Sequence, residues 1–251
     1  MKVVLKTVYN AAVWICFVTD AVILIIIAFL IFAAAYPFDP KRKAIHAFSG
    51  FWGLHYFRLN PLWKAKYECD AVTDKNQPYI IVSNHQSMFD ICIMYKIRLV
   101  FKWVSKAEVF NMPFVGWLLK MHGDILINRG DRSGTKNMLN KARSWIEKNC
   151  SICLFPEGTR SSTGRVNPFK EGAFMIAKLN KLPVLPVVIE GTCDMLPPRG
   201  ATFGGKATAR IRVLPVIPAE TVSNMTTKDL SNLLYNIISE EHKRMAPDKY
   251  K

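Results

Sequence analysis

Acidic residues are scarce in this chain: 19 Asp and Glu stand against 34 Lys and Arg in 251 residues, a formal net charge of +15. An imbalance of that size points to a polyanionic partner, whether nucleic acid, an anionic membrane surface or a phosphorylated substrate. Histidine is scarcer still, with five in all, at 46, 55, 85, 122 and 242. None makes the close pair that Cys150-Ser-Ile-Cys153 would need to complete a zinc site, so no metal is expected. The six cysteines are scattered, several inside apolar runs, which speaks against a disulfide framework and for buried free thiols in a reducing compartment. Internal repeats and low-complexity linkers are missing too. Half of the residues are hydrophobic, which excludes a disordered or fibrous chain and leaves room for one sizeable core with an appendage.

The appendage is legible first. Residues 21–38 run without a charge, the apolar character reaches back to Val13 past the lone Asp20, and the length is that of a transmembrane candidate. The run is too long and starts too late for a cleaved signal peptide, despite Ala33-Ala34-Ala35. Asp20 is expensive in hydrocarbon and is expected near the interface or facing protein. Past Pro37 and Pro40, residues 41–66 mix Trp52, Tyr56, Phe57 and Trp63 with lysines and arginines. That mixture suits a helix lying at headgroup depth. The two helices are read as a hairpin over residues 1–66 that either spans the bilayer or dips into one leaflet, ahead of a catalytic domain over 67–251. Lys41-Arg42-Lys43 favours the cytoplasmic side for that domain.

Beyond residue 70, short β-branched runs at 79–83, 99–104, 124–128, 151–155, 184–190 and 207–216 alternate with helical patterns at 133–148, 171–179 and 228–245. The alternation predicts an α/β fold, a mixed sheet flanked by helices. The runs at 80–82, 152–155 and 184–189 are nearly continuous, as central strands covered on both faces should be. Polar clusters follow two of these strands, where functional loops of such folds gather.

The first cluster, Ser83-Asn84-His85-Gln86-Ser87-Met88-Phe89-Asp90, sets a carboxylate five residues after a histidine. That spacing lies about 140° apart on a regular helix, so His85 must precede the helix while Asp90 reaches back from its first turns. Asp90 would then hold one ring nitrogen and leave the other free to take a proton from a hydroxyl. Ser87-x-x-Asp90 also matches a capping box that starts a helix over 88–95, and Ser87 as a nucleophile is a further reading. The second cluster, Phe155-Pro156-Glu157-Gly158-Thr159-Arg160, is a tight turn exposing phosphate-binding groups, with Glu157 free to orient Arg160 or hold a substrate hydroxyl. Lys106 and Arg129 stand at element boundaries from which they can converge on the same cleft.

Residues 84–90, Lys106 with Pro113 and Gly116, residues 123–129, residues 155–160 and Val184-Leu185-Pro186-Val187 together resemble, in order and spacing, the motifs of the glycerol-phosphate acyltransferase superfamily. The nearest resemblance is to its 1-acylglycerol-3-phosphate acyltransferases, bacterial members included. The resemblance implies that His85 deprotonates the free sn-2 hydroxyl of lysophosphatidic acid and that Asp90 orients His85. It also implies that Glu157, Gly158, Thr159 and Arg160 engage the acceptor, and that Lys106 and Arg129 help bind its phosphate. The donor is then acyl-CoA or acyl-carrier protein and the product phosphatidic acid, with no cofactor. The expected setting is the cytoplasmic face of a bacterial inner membrane. Other lysolipid acceptors stay open, as does a membrane-binding protein without activity. Nucleic acid is disfavoured, because the aromatic-basic mixture lies beside the apolar anchor.

Overall fold

A computed structural model describes residues 2–128 and 132–251. The apolar N-terminal run forms one helix, α1 (Lys2–Ala35), which starts well before the expected Val13 because nothing in residues 2–12 breaks it. It stops two residues before Pro37, as a proline dictates. The chain turns, and α2 (Lys43–Leu59) begins with Asp39 Oδ2 accepting the Ala44 N–H at 2.7 Å. The hairpin is zipped by Leu24, Ile25 and Ala28 against Ile45 and Trp52, and Asp20 faces His55 of α2 at 3.3 Å. The outer side of α1 stays apolar and exposed through Leu5, Ile15, Val22, Ile26, Phe29 and Leu30. By length and composition α1 can cross a membrane.

The aromatic residues of α2 depart from expectation. Trp52 and Phe57 are buried against protein, Trp52 beside Leu24, Ile25 and Ala28 of α1 and Phe57 against Phe89, because α2 packs closely on both α1 and α3 (Phe89–Met94). Gly53 makes the approach to α3 possible, since a Cβ there would stand 3.0 Å from the Cys92 Cα. Trp63 is buried as well, and residues 63–66 are not helical. They open β1 (Trp63–Cys69), which straddles the expected boundary at residue 66 and joins the sheet. Its outward Lys64, Lys66 and Glu68 protect an edge strand against unwanted pairing.

The other strands are β2 (Ile80–Ser83), β3 (Phe101–Lys106), β4 (Ile125–Ile127), β5 (Ser151–Leu154), β6 (Val184–Glu190) and β7 (Ala207–Val213). Among the described residues the sheet order is β1-β7-β6-β2-β5-β3-β4. Strands β2 to β6 are mutually parallel, whereas β7 runs antiparallel to β6 and carries β1 parallel to itself. Helices α4 (Ala107–Phe110), α5 (Val115–His122), α6 (Arg132–Ile146), α7 (Gly172–Leu179), α8 (Ala219–Asn224) and α9 (Thr227–Met245) complete the layers. Strands β2, β5 and β6 are buried throughout, the pattern of covered central strands.

A buried polar chain fastens the hairpin to this sheet. His46 of α2 pairs with His122 at 2.8 Å and with the Leu99 carbonyl at 2.9 Å, while His122 reaches Asp124 at 2.6 Å. Lys102 of β3, fully buried, donates to the His122 carbonyl at 2.8 Å and lies over the Trp145 ring. Burial lowers its pKa to about 8.

Candidate active site

Because β2 to β6 are parallel, their C-terminal ends share one rim. That rim collects His85 after β2, Lys106 at the end of β3, Glu157 to Arg160 after β5 and Thr192 after β6. At the end of β2 the backbone leaves the sheet and a side chain takes over. Asn84 Nδ2 donates to the Ile189 carbonyl and Asn84 Oδ1 accepts the Ile189 N–H, both at 2.8 Å, which extends the ladder to β6 by one rung. The released backbone carries His85 out of the sheet.

The His85 Nδ1 lies 2.7 Å from Asp90 Oδ2, so the carboxylate selects the tautomer with the proton on Nδ1. Nε2 has no hydrogen-bond partner among the described residues and is placed to accept a proton. The ring stacks on Phe155 at 4.0 Å and 5°, and Phe155 stacks in turn on Trp103. The same Oδ2 accepts the backbone N–H groups of Gln86 at 2.5 Å and Ser87 at 2.8 Å. One Asp90 oxygen therefore orients the histidine and makes half of the expected capping box by accepting the Ser87 N–H. The other half is not formed, because the Asp90 N–H goes to the Ser87 carbonyl and the helix starts at Phe89 behind Met88 without a side-chain cap. The Ser87 hydroxyl is buried and donates to the Leu196 carbonyl at 2.7 Å.

Glu157 does not orient Arg160. Its side chain is buried, with Oε1 accepting the His85 N–H at 2.7 Å and Oε2 the Asn167 N–H at 2.9 Å. In return the His85 carbonyl accepts the Ser161 N–H at 2.8 Å. The turn after β5 is thus bolted to the histidine's own peptide units. Pro156 at its second position and Gly158 with φ 71° shape that turn, closed by the Gly158 N–H on the Phe155 carbonyl. Thr159 is exposed, and Lys106 and Arg160 are half-buried with no side-chain partner among the described residues. Arg129 lies outside the described residues.

Burial pushes the Glu157 carboxyl up to about 7, against the backbone and side-chain donors that favour its ion. A raised acid binds more protons folded than unfolded between about 4.5 and 7, so its contribution to stability falls as pH rises through that window. The loss amounts to ~3 kcal/mol for such a shift. Denaturant unfolding of the full chain should show that slope, and Glu157→Gln should flatten it. Parallel pH–stability curves for the two chains would refute this account.

Other contributors were not assigned from sequence. Gln86 donates to the Gly164 carbonyl at 3.1 Å and to His242 Nε2 at 2.5 Å, and His242 is held on its other side by Tyr250 at 3.0 Å. Burial depresses His242 to about 4, which keeps it neutral and able to accept. Thr192 donates to Asp90 Oδ1. The Glu190-Gly191-Thr192 run after an apolar strand carried the same strand-end signal as the first two clusters.

The structure thus brings a carboxylate-held imidazole to the C-terminal rim of the parallel strands of an α/β protein, with Lys106 and Arg160 at the same rim. The chain belongs to the Acyltransferase family, whose profile matches residues 64–190. It is 32% identical over 189 residues to the 1-acyl-sn-glycerol-3-phosphate acyltransferase BAT2, chloroplastic, of Brassica napus, covering 73% of this chain and 54% of that one. Against the 1-acyl-sn-glycerol-3-phosphate acyltransferase of Saccharomyces cerevisiae it is 34% identical over 151 residues, 59% of this chain and 50% of the other. The chain thus spans about half the length of these curated relatives. The crystal structure of the 1-acyl-sn-glycerophosphate (LPA) acyltransferase PlsC from Thermotoga maritima superposes with a TM-score of 0.79 at 21% identity, covering 96% of this chain and 97% of that one. The mixed sheet, its flanking helices and the N-terminal hairpin are those of that fold.

Proposed function

We propose that the chain transfers a fatty acyl group from a thioester, acyl-CoA or acyl-carrier protein, to the free hydroxyl of lysophosphatidic acid, giving phosphatidic acid. The observation that carries this reading is the Asp90–His85 pair at 2.7 Å on a rim that also presents Lys106 and Arg160, which have no side-chain partner among the described residues. His85 Nε2 takes the hydroxyl proton as the oxygen attacks the thioester carbonyl. The C–S bond breaks, and the proton passes to the departing thiolate. A thiol with a pKa of about 8.5 leaves with little acid assistance, so one base suffices and the protein needs no nucleophile of its own. Lys106 and Arg160 meet the acceptor phosphate, beside the Gly158-Thr159 turn. Arg129 is assigned to the same phosphate on the resemblance alone. The exposed face of α1 seats the protein in a membrane, where both lipids reside, with the catalytic domain at the cytoplasmic face of a bacterial inner membrane.

The test is acyl transfer by the purified, detergent-solubilised chain, with acyl-CoA and acyl-carrier protein each offered to lysophosphatidic acid, other lysophospholipids, glycerol 3-phosphate and a phosphate-free monoacylglycerol. Lysophosphatidic acid should exceed the monoacylglycerol by about tenfold or more in kcat/KM, the worth of one charge-assisted contact. Equal use of the monoacylglycerol would remove the role given to Lys106 and Arg160. Preference for another lysolipid would replace the acceptor.

A further inference from the structure

We propose that Thr192 is a positioning residue of the dyad, aiming the Asp90 carboxylate and keeping it ionised while His85 carries the proton. The inference rests on the reading of Asp90 and His85 as orienter and base. Three donors converge on Asp90 Oδ2, namely His85 Nδ1, the Gln86 N–H and the Ser87 N–H. Among the described residues the Thr192 hydroxyl alone donates to Oδ1. Both side chains are fully buried, away from bulk water. Without that donor a buried carboxylate oxygen is left bare, its proton affinity rises, and its plane is free to rotate about the crowded oxygen.

The backbone shows how tightly the hydroxyl is placed. Gly191 bends the chain at the end of β6 with φ 83°, where a Cβ would sit 2.2 Å from the Thr208 carbonyl oxygen. The Thr192 carbonyl then accepts the N–H groups of Met195 at 3.1 Å and Leu196 at 3.2 Å. The Leu196 carbonyl takes the Ser87 hydroxyl, and the Ser87 N–H returns to Asp90. Asp90, Thr192, Leu196 and Ser87 thereby form a closed circuit that ties the last parallel strand to the base. Rotation of the carboxylate has to break that circuit.

The test compares Thr192→Val, which keeps the shape and loses the donor, with Thr192→Ser, which keeps the donor. The acceptor is whichever one the wild-type chain uses best. For T192V, kcat should fall about ten- to a hundredfold, the scale of a hydrogen bond to a buried charge, with the acceptor KM within about twofold. The acidic limb of its kcat/KM profile should move to higher pH, because a carboxylate with one donor fewer is protonated more readily. T192S should stay within about threefold of wild type with an unmoved limb, on the same scale. If valine is not tolerated beside the Gly191 bend, Thr192→Ala makes the same comparison. A substrate-free readout accompanies the kinetics: the NMR resonance of the His85 Nδ1 proton, shifted in T192V and restored in T192S. Failure of lysophosphatidic acid as acceptor leaves that readout intact. An unmoved resonance and acidic limb in T192V, or an equal loss in T192S, overturns the proposal.

Discussion

Acyl transfer by the His85→Ala chain should fall by about 10²- to 10⁴-fold in kcat, the range a positioned general base contributes. The measurement is thiol release with saturating donor and acceptor. The geometry predicts a clean loss. The ring stacks on Phe155 at the rim, and its removal leaves Asp90 still satisfied by the Gln86 and Ser87 N–H groups and by Thr192. The His85 backbone keeps its bonds to Glu157 and Ser161, so the loops stay in place. The thermal midpoint should accordingly change by no more than a few degrees, which corresponds to ~1 kcal/mol for a chain of this size. Undiminished transfer by H85A would sink the assigned base.

Asp90→Asn should lower kcat by a similar 10²- to 10⁴-fold while leaving the fold intact, because the carboxamide matches the carboxylate in shape but not in charge. With its oxygen in the Oδ2 position the asparagine still accepts from His85 Nδ1, Gln86 and Ser87. Its NH₂ then faces Thr192, whose hydroxyl can turn from donor to acceptor. What disappears is the negative charge that makes the protonated imidazole affordable in a buried setting. The variant separates orientation from charge: a D90N chain within about threefold of wild type, a difference of well under 1 kcal/mol, would make Asp90 a helix cap only.

The parts of this protein legible in its sequence are those encoded by local periodicity. Strand β6 runs over 184–190 as its continuous apolar pattern predicts, and α9 begins one residue before its expected start. Strand β1 escaped because Trp63, Lys64, Ala65 and Lys66 combine basic and aromatic residues as an interfacial helix does, and only its register with Ala207 to Val213 reveals an edge strand. Trp52 and Phe57 of α2 carry the composition of a membrane interface and the burial of a core. Composition is blind to which partner covers a ring.

At the site, the His-x4-Asp spacing is local but common, and it is legible only beside the second polar cluster and the apolar anchor; the structure brings the two side chains within a hydrogen bond. The work of Glu157 was not legible, since an exposed acid beside an arginine is the simplest reading of Glu157-Gly158-Thr159-Arg160. Its true partners are backbone groups on His85 and Asn167. Thr192 lies 102 residues from Asp90, and His242 lies 156 from Gln86. No local pattern specifies pairings of that range.

The Asn84 rung has a consequence for when the site comes into being. His85 leaves the sheet only where Asn84 has found Ile189, 105 residues away, and its N–H is held only once Glu157 has arrived from 72 residues away. Contacts of such separation form late, because the entropy of closing long loops must be overcome first. The pairings of β2 with β5 and with β6 span the same separations, so the base is placed only as the central strands themselves assemble. Until then His85 has neither its exit from the sheet nor the Glu157 anchor that set its place at the rim.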